Sequence, residues 1–464
     1  MQRELELQKE IPLAYEADIV VVGGGLTGVC AAVSAAREGK RVVLIEQGSC
    51  GGGMATQGLV GPFMTSYDKS GEIMVIRGLF EELVCRLEER GGAIHPAKVR
   101  AGTAFTSWIR NGHDHVTPFD PEILKKLIDD LLTESGVEVL YHTTFIEPVM
   151  DGKRILGVIV HSKKGFQEIR GNIVIDCTGD GDVAYRCGAP YELGDPERNS
   201  MQPATLFFRI GNVDSKALEA EIQANLHNFY RKDGVNYRSL HWRVSEAREN
   251  GDWTIARASV GMYRGVKEDE WSINTSRMIG VDGTDNKSLS DAEIIGRRQV
   301  EEIFSFLKKY VPGCQNARLL SSASTVGIRE TRHIFGEYVM TVEDVLHGTV
   351  PEDSILVASN SVDIHARYGA AGSEYLSIEH GEWYGIPYRC LVPLEVEHLL
   401  IAGRCISATS DAAGAFRVMP PCTAMGQAAG IAAAVALETG AAPRTVDFSL
   451  VKERLLARGA FLGT

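Results

Sequence analysis

The stretch that most restricts this 464-residue chain runs from Ala17 to Gln47. An apolar β-branched run, D-I-V-V-V, meets four glycines in six positions, G-G-G-L-T-G at 23–28. An alanine-rich segment, V-C-A-A-V-S-A-A-R-E, follows, and after Gly39-Lys40 a second apolar run, R-V-V-L-I-E, ends at Glu46. That order predicts strand, turn, helix, strand, a βαβ unit whose strands must be parallel. Gly23 then serves the tight turn, Gly25 a close approach of the backbone to a pyrophosphate, and Gly28 close packing of helix on strand. Leu26 and Thr27 fall in the first helical turn, where phosphate oxygens meet the positive end of the helix. Glu46, followed by Gln47, lies about twenty residues on, where a carboxylate accepts from both ribose hydroxyls and repels a 2′-phosphate. A ligand-free glycine turn explains the glycines but not the acid in register with them. The stretch reads as a dinucleotide cradle.

The segment after Glu46, Q-G-S-C-G-G-G-M-A-T-Q-G-L-V-G, places a second glycine-rich loop where a nicotinamide-nucleotide domain goes directly into another crossover helix. A flavin nucleotide has a ribityl chain and a tricyclic ring to bury and needs such a loop. Gly51, Gly52 and Gly53 can offer backbone N–H groups, with Met54 beside them and the Thr56 hydroxyl in reach. Downstream, F-D-P-E-I-L-K-K-L-I-D-D-L-L-T-E-S-G is an amphipathic helix with Ile123, Leu124, Leu127, Ile128, Leu131 and Leu132 on one side, ended by Gly136. Strands are expected in V-E-V-L-Y-H-T-T-F-I-E-P-V, R-I-L-G-V-I-V-H and F-Q-E-I-R-G-N-I-V-I-D. The last leads to a look-alike turn, Gly179-x-Gly181-x-x-Ala184, in which Asp180 and Asp182 oppose a pyrophosphate.

Between about 201 and 315 the texture changes. W-T-I-A-R-A-S-V-G-M-Y-R-G and W-S-I-N-T-S-R-M-I alternate like strands, and E-I-I-G-R-R-Q-V-E-E-I-F-S-F-L-K-K-Y reads as a helix. The expected division is a dinucleotide-binding part over 1–200, an inserted α+β cap over 201–320, and a return to the first domain over 321–464, with 346–388 contributing to the substrate site. The fold class is α/β, a three-layer Rossmann-like domain with a parallel sheet.

A net charge of −13 and no Lys/Arg run argue against nucleic acid as a partner. The N-terminal M-Q-R-E-L-E-L-Q-K-E is too charged for a secretory signal, and the apolar run at 428–437 is too short to span a bilayer. A cytoplasmic, non-membrane protein is the expectation. Nine cysteines with no CxxC pair read as reduced thiols. The His113-Asp114-His115 pattern reads as an exposed polar turn rather than a metal site, so no metal is expected.

The chain resembles the glutathione-reductase-type FAD-dependent oxidoreductases, and among them the branch known simply as FAD-dependent oxidoreductase, distantly similar to fumarate reductase and succinate dehydrogenase flavoproteins. The resemblance rests on the glycine cradle with Glu46, G-G-M-A-T at 52–56, V-I-D-C-T-G-D-G-D at 174–182, G-I-R-E-T-R-H at 327–333, I-P-Y-R-C-L-V-P at 386–393, and L-L-I-A-G-R-C-I-S-A-T at 399–409 leading into R-V-M-P-P-C-T-A-M-G-Q-A-A-G at 417–430. It implies non-covalent FAD, with Gly179 and Asp180 beside the pyrophosphate or adenosine, Gly403 and Arg404 beside the ribityl chain, and Phe145 at the adenine edge. Met419, Thr423 and Ala424 fall at the start of a small-residue helix whose dipole stabilises charge on reduced flavin. Cys50 precedes the second glycine loop and raises covalent attachment as an alternative to a plain buried thiol.

By the same resemblance G-A-F-R at 414–417 matches the site of a substrate-carboxylate arginine, making Arg417 the first candidate anchor, with Phe416 replacing the family's asparagine. His365 in D-I-H and Arg389 in P-Y-R are the further catalytic candidates, and Arg329, Glu330 and Arg332 read as an internal ion-pair network. The implied activity is a dehydrogenase or reductase that exchanges a hydride between flavin N5 and a small organic substrate, with an electron acceptor or donor the sequence does not identify. A flavin monooxygenase and a non-catalytic redox sensor stay open, and the oligomeric state is undetermined.

Overall fold

A computed structural model describes residues 9–197, 200–232, 234–365 and 373–463. Strand β1 (Leu13–Val22) is followed by helix α1 (Leu26–Arg37) and strand β2 (Val42–Ile45). β1 and β2 are parallel, with Ile19 opposite Val42 and Val22 opposite Ile45. All four residues of β2 are buried, as a parallel strand covered on both faces requires. Helices α2 (Leu79–Glu89) and α3 (Pro121–Glu134) precede strands β3 (Glu138–Leu140), β4 (Thr144–Asp151), β5 (Arg154–Ser162) and β6 (Gly165–Asp176). Helix α3 starts where Asp120 accepts from the Glu122 N–H, and buries Leu124, Leu127, Ile128, Leu131 and Leu132.

The main sheet has the order β3-β2-β1-β6-β5-β4, and the late strand Leu399–Ile401 also pairs with β6, in parallel. Strand order therefore reverses between β1 and β6, the switch point outside which open α/β sheets bind ligands. The segment read as one strand from Val137 to Val149 is two. β3 continues the parallel sheet beside β2, and β4 turns away to pair antiparallel with β5. The break falls at His142, whose φ of 53° ends extended backbone and whose N–H is held by Gly48 O.

The long helix Met419–Thr439 lies against α1. Its glycines explain how closely, because a Cβ at Gly426 would stand 2.1 Å from Thr27 O and one at Gly430 2.2 Å from Ala31 O. The small-residue run is thus the contact face of two helices whose backbones nearly touch. Among the described residues no single helix is long and apolar enough to cross a membrane.

The described residues form two hydrophobic cores. One draws on 17–189 and 334–462, and the other on 204–326 together with Leu59, Ala104 and Trp108. The second core carries a four-stranded antiparallel sheet in the order Met262–Arg264, Trp271–Ile273, Phe208–Gly211, Arg318–Ser322. The helix Asn286–Tyr310, capped by Asp285, contributes Val300, Ile303, Phe306 and Leu307 to that core. Only Met262–Arg264 of the 253–265 alternation is strand; Trp253 and Ile255 are buried from irregular backbone. Tertiary burial, rather than strand pairing, produces that alternation.

Candidate active site

A cavity of about 820 Å³ runs from the switch point into the region between the two cores. At its nucleotide end β1 stops at Gly23, whose φ of +100° and distance to β6 both demand glycine: a Cβ would sit 2.4 Å from Cys177 O. At Gly25 the reverse holds, since an added Cβ would meet nothing within 4 Å. Gly25 therefore offers bare backbone to the cavity. No side chain caps the first turn of α1, which leaves its N–H groups for an anion.

Glu46 is buried, with Oε2 accepting from the Gly24 N–H at 2.7 Å and Oε1 from the Gly48 N–H at 2.6 Å. Oε1 also accepts from Gln57 Nε2 at 3.4 Å, so Oε2 is the oxygen that keeps a lone pair for a hydroxyl. The second glycine loop is tied to the first by Gly52 N–H donating to Gly24 O at 2.8 Å, and a Cβ on Gly53 would touch Gly25 Cα at 3.0 Å. Two glycine loops stacked at the end of the central strands, beside an oriented acid, suit a dinucleotide with a long second half.

Gly23, Gly25, Leu26, Thr27, Glu46, Gln47, Gly52, Gly53, Met54, Phe145, Gly179, Asp180, Gly403, Arg404 and Met419 line the cavity, and so do Arg417 and His365. Four other residues expected at the cofactor do not. Gly28 lies behind the turn, where a Cβ would overlap Gly23 O at 1.8 Å. The Thr56 hydroxyl turns back to Gly51 O at 2.7 Å, and that of Thr423 to Pro420 O at 2.6 Å. Ala424 packs against the first core. Cys50 stands off the cavity wall, with its sulfur 3.9 Å from Thr56 Oγ1.

Arg389 is also a correction. Its side chain is 46 % exposed and pairs with Asp353 at 2.9 Å, away from the cavity. The buried strand Tyr384–Pro387 ends just before it, and the short 3₁₀ turn that follows buries Tyr388, Cys390 and Leu391 and leaves Arg389 outside.

The aspartates of the look-alike turn are neutralised. Arg404 pairs with Asp180 at 2.6 Å and Arg332 with Asp182 at 2.9 Å. The N–H groups of Val183 and Ala184 are already taken by buried Asp176, so this turn has no free helix start to offer a second nucleotide. Arg329, Glu330 and Arg332 do not form one network. Arg332 goes to Asp182 and Glu330 accepts from Gln202 N–H and Ser410, whereas Arg329 lines the cavity and donates to Pro203 O and Thr205 Oγ1. His113 likewise lines the cavity and His115 is buried, stacked on Tyr67, so the His-Asp-His stretch is not an exposed turn.

Beyond the nucleotide end the wall becomes polar. Asp363 and His365 project from the strand Val362–His365, with His365 Nε2 3.4 Å from Asp363 Oδ2. Arg417 Nη2 donates to Gln202 Oε1 at 2.9 Å and to Asp363 O at 3.0 Å, and Gln202 Oε1 also accepts the His365 N–H. Burial lowers His365 to about 4, against the pull of Asp363, so the ring is neutral near pH 7. Burial works to raise Asp363, but His365, Arg417 and Arg329 outweigh it and hold the carboxyl well below its usual range.

Against this geometry, the family model described as FAD dependent oxidoreductase matches residues 18–455. The chain belongs to the FAD dependent oxidoreductase family. It is an enzyme with FAD as cofactor, and the cradle just described fits that group. No curated protein matches the sequence of this oxidoreductase. Solved structures similar to it include a geranylgeranyl bacteriochlorophyll reductase-like protein of Thermoplasma acidophilum, with 13% identity over 97% of this chain and 84% of that one and a TM-score of 0.45. A p-nitrophenol 4-monooxygenase of Pseudomonas putida has 14% identity over 97% and 87%, with a TM-score of 0.44. An L-amino acid deaminase of Proteus myxofaciens has 12% identity over 96% and 95%, with a TM-score of 0.46.

Sequence reasoning passed over Arg238, Arg257, Tyr263, Asp363 and Tyr375, all on the cavity wall. None belongs to a local motif. The one available signal was the alternation of Asp363 and His365 on a short strand, which puts both on one face.

Proposed function

We propose that this oxidoreductase is a dehydrogenase or reductase that exchanges a hydride between flavin N5 and a small organic substrate. The observation that supports this reading is the polar wall continuous with the cofactor cradle, where Arg417, His365, Asp363 and Arg329 converge. A protein that only stores or senses electrons gains nothing from ionisable groups converging there, and their partial loss of hydration is a cost. Bound FAD supplies the two-electron acceptor or donor.

Arg417 orients the substrate through its planar fork, itself held by Gln202 and the Asp363 carbonyl. His365, neutral before reaction, takes the proton released from the substrate heteroatom in the oxidative direction and returns it in the reductive one. Asp363 Oδ2 stabilises the imidazolium that forms. Gly25, Leu26, Thr27 and Glu46 hold the cofactor's pyrophosphate and ribose, and Asp180 is neutralised by Arg404 so that it does not repel them.

The test is anaerobic titration of the FAD-loaded enzyme with alcohols, amines, hydroxy acids and enoates, the last against reduced enzyme, following the flavin absorption band. One class is expected to change the redox state, and His365→Gln to slow that change by about 10²–10⁴-fold with FAD retained. Indifference to every class, in both directions, would sink the reading and leave a sealed flavin.

A further inference from the structure

The charges on the cavity wall are sorted by position. At the nucleotide end the arginines have carboxylate partners: Arg404 with Asp180, Arg332 with Asp182, and Arg186 with Glu147. Beyond it, four guanidiniums, Arg238, Arg257, Arg329 and Arg417, share the wall with one carboxylate, Asp363, among the described residues. Arg238, Arg257 and Arg329 form no ion pair with any carboxylate among those residues. Arg329 donates only to neutral oxygens, and Arg257 has only long contacts of 3.4 Å and 3.5 Å to the carbonyls of Thr275 and Asn274.

Such a set is expensive. A guanidinium held in a cavity wall without a counter-charge loses hydration that nothing in the protein repays. Burial lowers Arg329 to about 9, with Arg417 and Arg257 adding to the effect, and pulls Arg238 and Arg257 in the same direction. Guanidiniums stay protonated at neutral pH, so an excess of positive charge faces the cavity in a chain whose overall balance is −13. Tyr263 and Tyr375 stand on the same wall and add hydroxyl donors.

We infer that the substrate chamber takes a doubly anionic small molecule, with Arg238, Arg257 and Arg329 selecting for the second anionic group while Arg417 engages the first. The inference rests on the chamber being the substrate site of the hydride exchange proposed above, and it adds the substrate class. Guanidinium forks match carboxylate and phosphate alike, so the shared chemistry is two anionic groups on one small carbon skeleton. Arg238 and Arg257 come from the segment whose residues build the second core, so that region, and not the nucleotide domain, sets the specificity.

The test uses the FAD-loaded enzyme and the perturbation of its flavin absorption band by non-reacting ligands. Glutarate, glycerol 2-phosphate, butyrate and glutaramide are titrated in parallel. Glutarate or glycerol 2-phosphate is expected to bind at least tenfold more tightly than butyrate and a hundredfold more tightly than glutaramide, and the better of the two identifies the anion. Arg257→Met and Arg238→Met are each expected to weaken the dianion at least tenfold, leaving butyrate and FAD content unchanged. Equal binding of glutaramide and the dianions, or unchanged dianion binding in both folded variants, would overturn the inference. Should the variants fail to fold, the wild-type ligand series alone decides it. Dianion binding without redox change by any substrate would sink the hydride-exchange reading and leave the anion chamber standing.

Discussion

Replacing Gly25 with alanine separates the cofactor's requirements from those of the fold. Gly25 has φ −61° and ψ 173°, a conformation open to alanine, and its added methyl meets no protein atom within 4 Å. The folded apoprotein should therefore lose nothing, and the reduced freedom of the unfolded chain should add about 0.4–1 kcal/mol of stability. The methyl does stand between the backbone and the cavity. If it removes one charge-assisted N–H contact to a phosphate, the loss is about 1.5–3 kcal/mol, or roughly tenfold to hundredfold in FAD affinity. With FAD at 100 times the wild-type Kd, wild type gains about 2.7 kcal/mol from the ligand, and a hundredfold weaker variant only about 0.4 kcal/mol.

Gly23→Ala is the control. Its φ of +100° and the 2.4 Å approach to Cys177 O put the damage into the fold itself, about 2–5 kcal/mol from conformation and overpacking together. Thermal melts of both variants with and without FAD, and a fluorescence titration of FAD, give every quantity. Gly25→Ala should melt like wild type without FAD and gain little with it. Wild-type FAD affinity in Gly25→Ala, or an apoprotein as unstable as Gly23→Ala, would refute the cradle.

Three further outcomes follow from the geometry. Arg389→Ala should leave FAD content and turnover intact and cost at most about 2 kcal/mol, because it breaks a pair with Asp353 and a cation–π contact with Tyr338, both outside the cavity, whereas Arg417→Ala should abolish turnover with FAD retained; denaturant melts and steady-state assays check both. His113 and His365 both have folded values lowered to about 4 by burial, below the unfolded 6.5, so their contribution is complete above pH 6.5 and lost as pH falls towards 4. Stability measured from pH 8 to 4 should decline across that window, and less steeply in His365→Gln. Gly430→Ala forces a methyl to 2.2 Å from Ala31 O and should cost about 1–3 kcal/mol by parting α1 from the long helix, read as a lower melting temperature.

The amino-acid sequence alone determined the βαβ unit, the glycine cradle with Glu46, and helix α3. Those are local features in which a period, a cap or a fixed spacing acts within about thirty residues, so the physics that forms them is written contiguously. It also determined that the chain binds a flavin dinucleotide, because the second glycine loop stands next to the first. What only the tertiary structure decided is which charged side chains reach the cavity. Arg329 and Arg389 look alike in sequence, yet one lines the cavity and the other faces solvent. Asp180 reads as a repulsive neighbour of phosphate until Arg404, more than two hundred positions away, neutralises it. Arg238, Arg257, Arg329 and Arg417 share a wall through packing of the second core on the first, and no spacing rule links positions so far apart. A guanidinium's surroundings, and hence its role, are set by long-range burial, which a linear pattern does not encode.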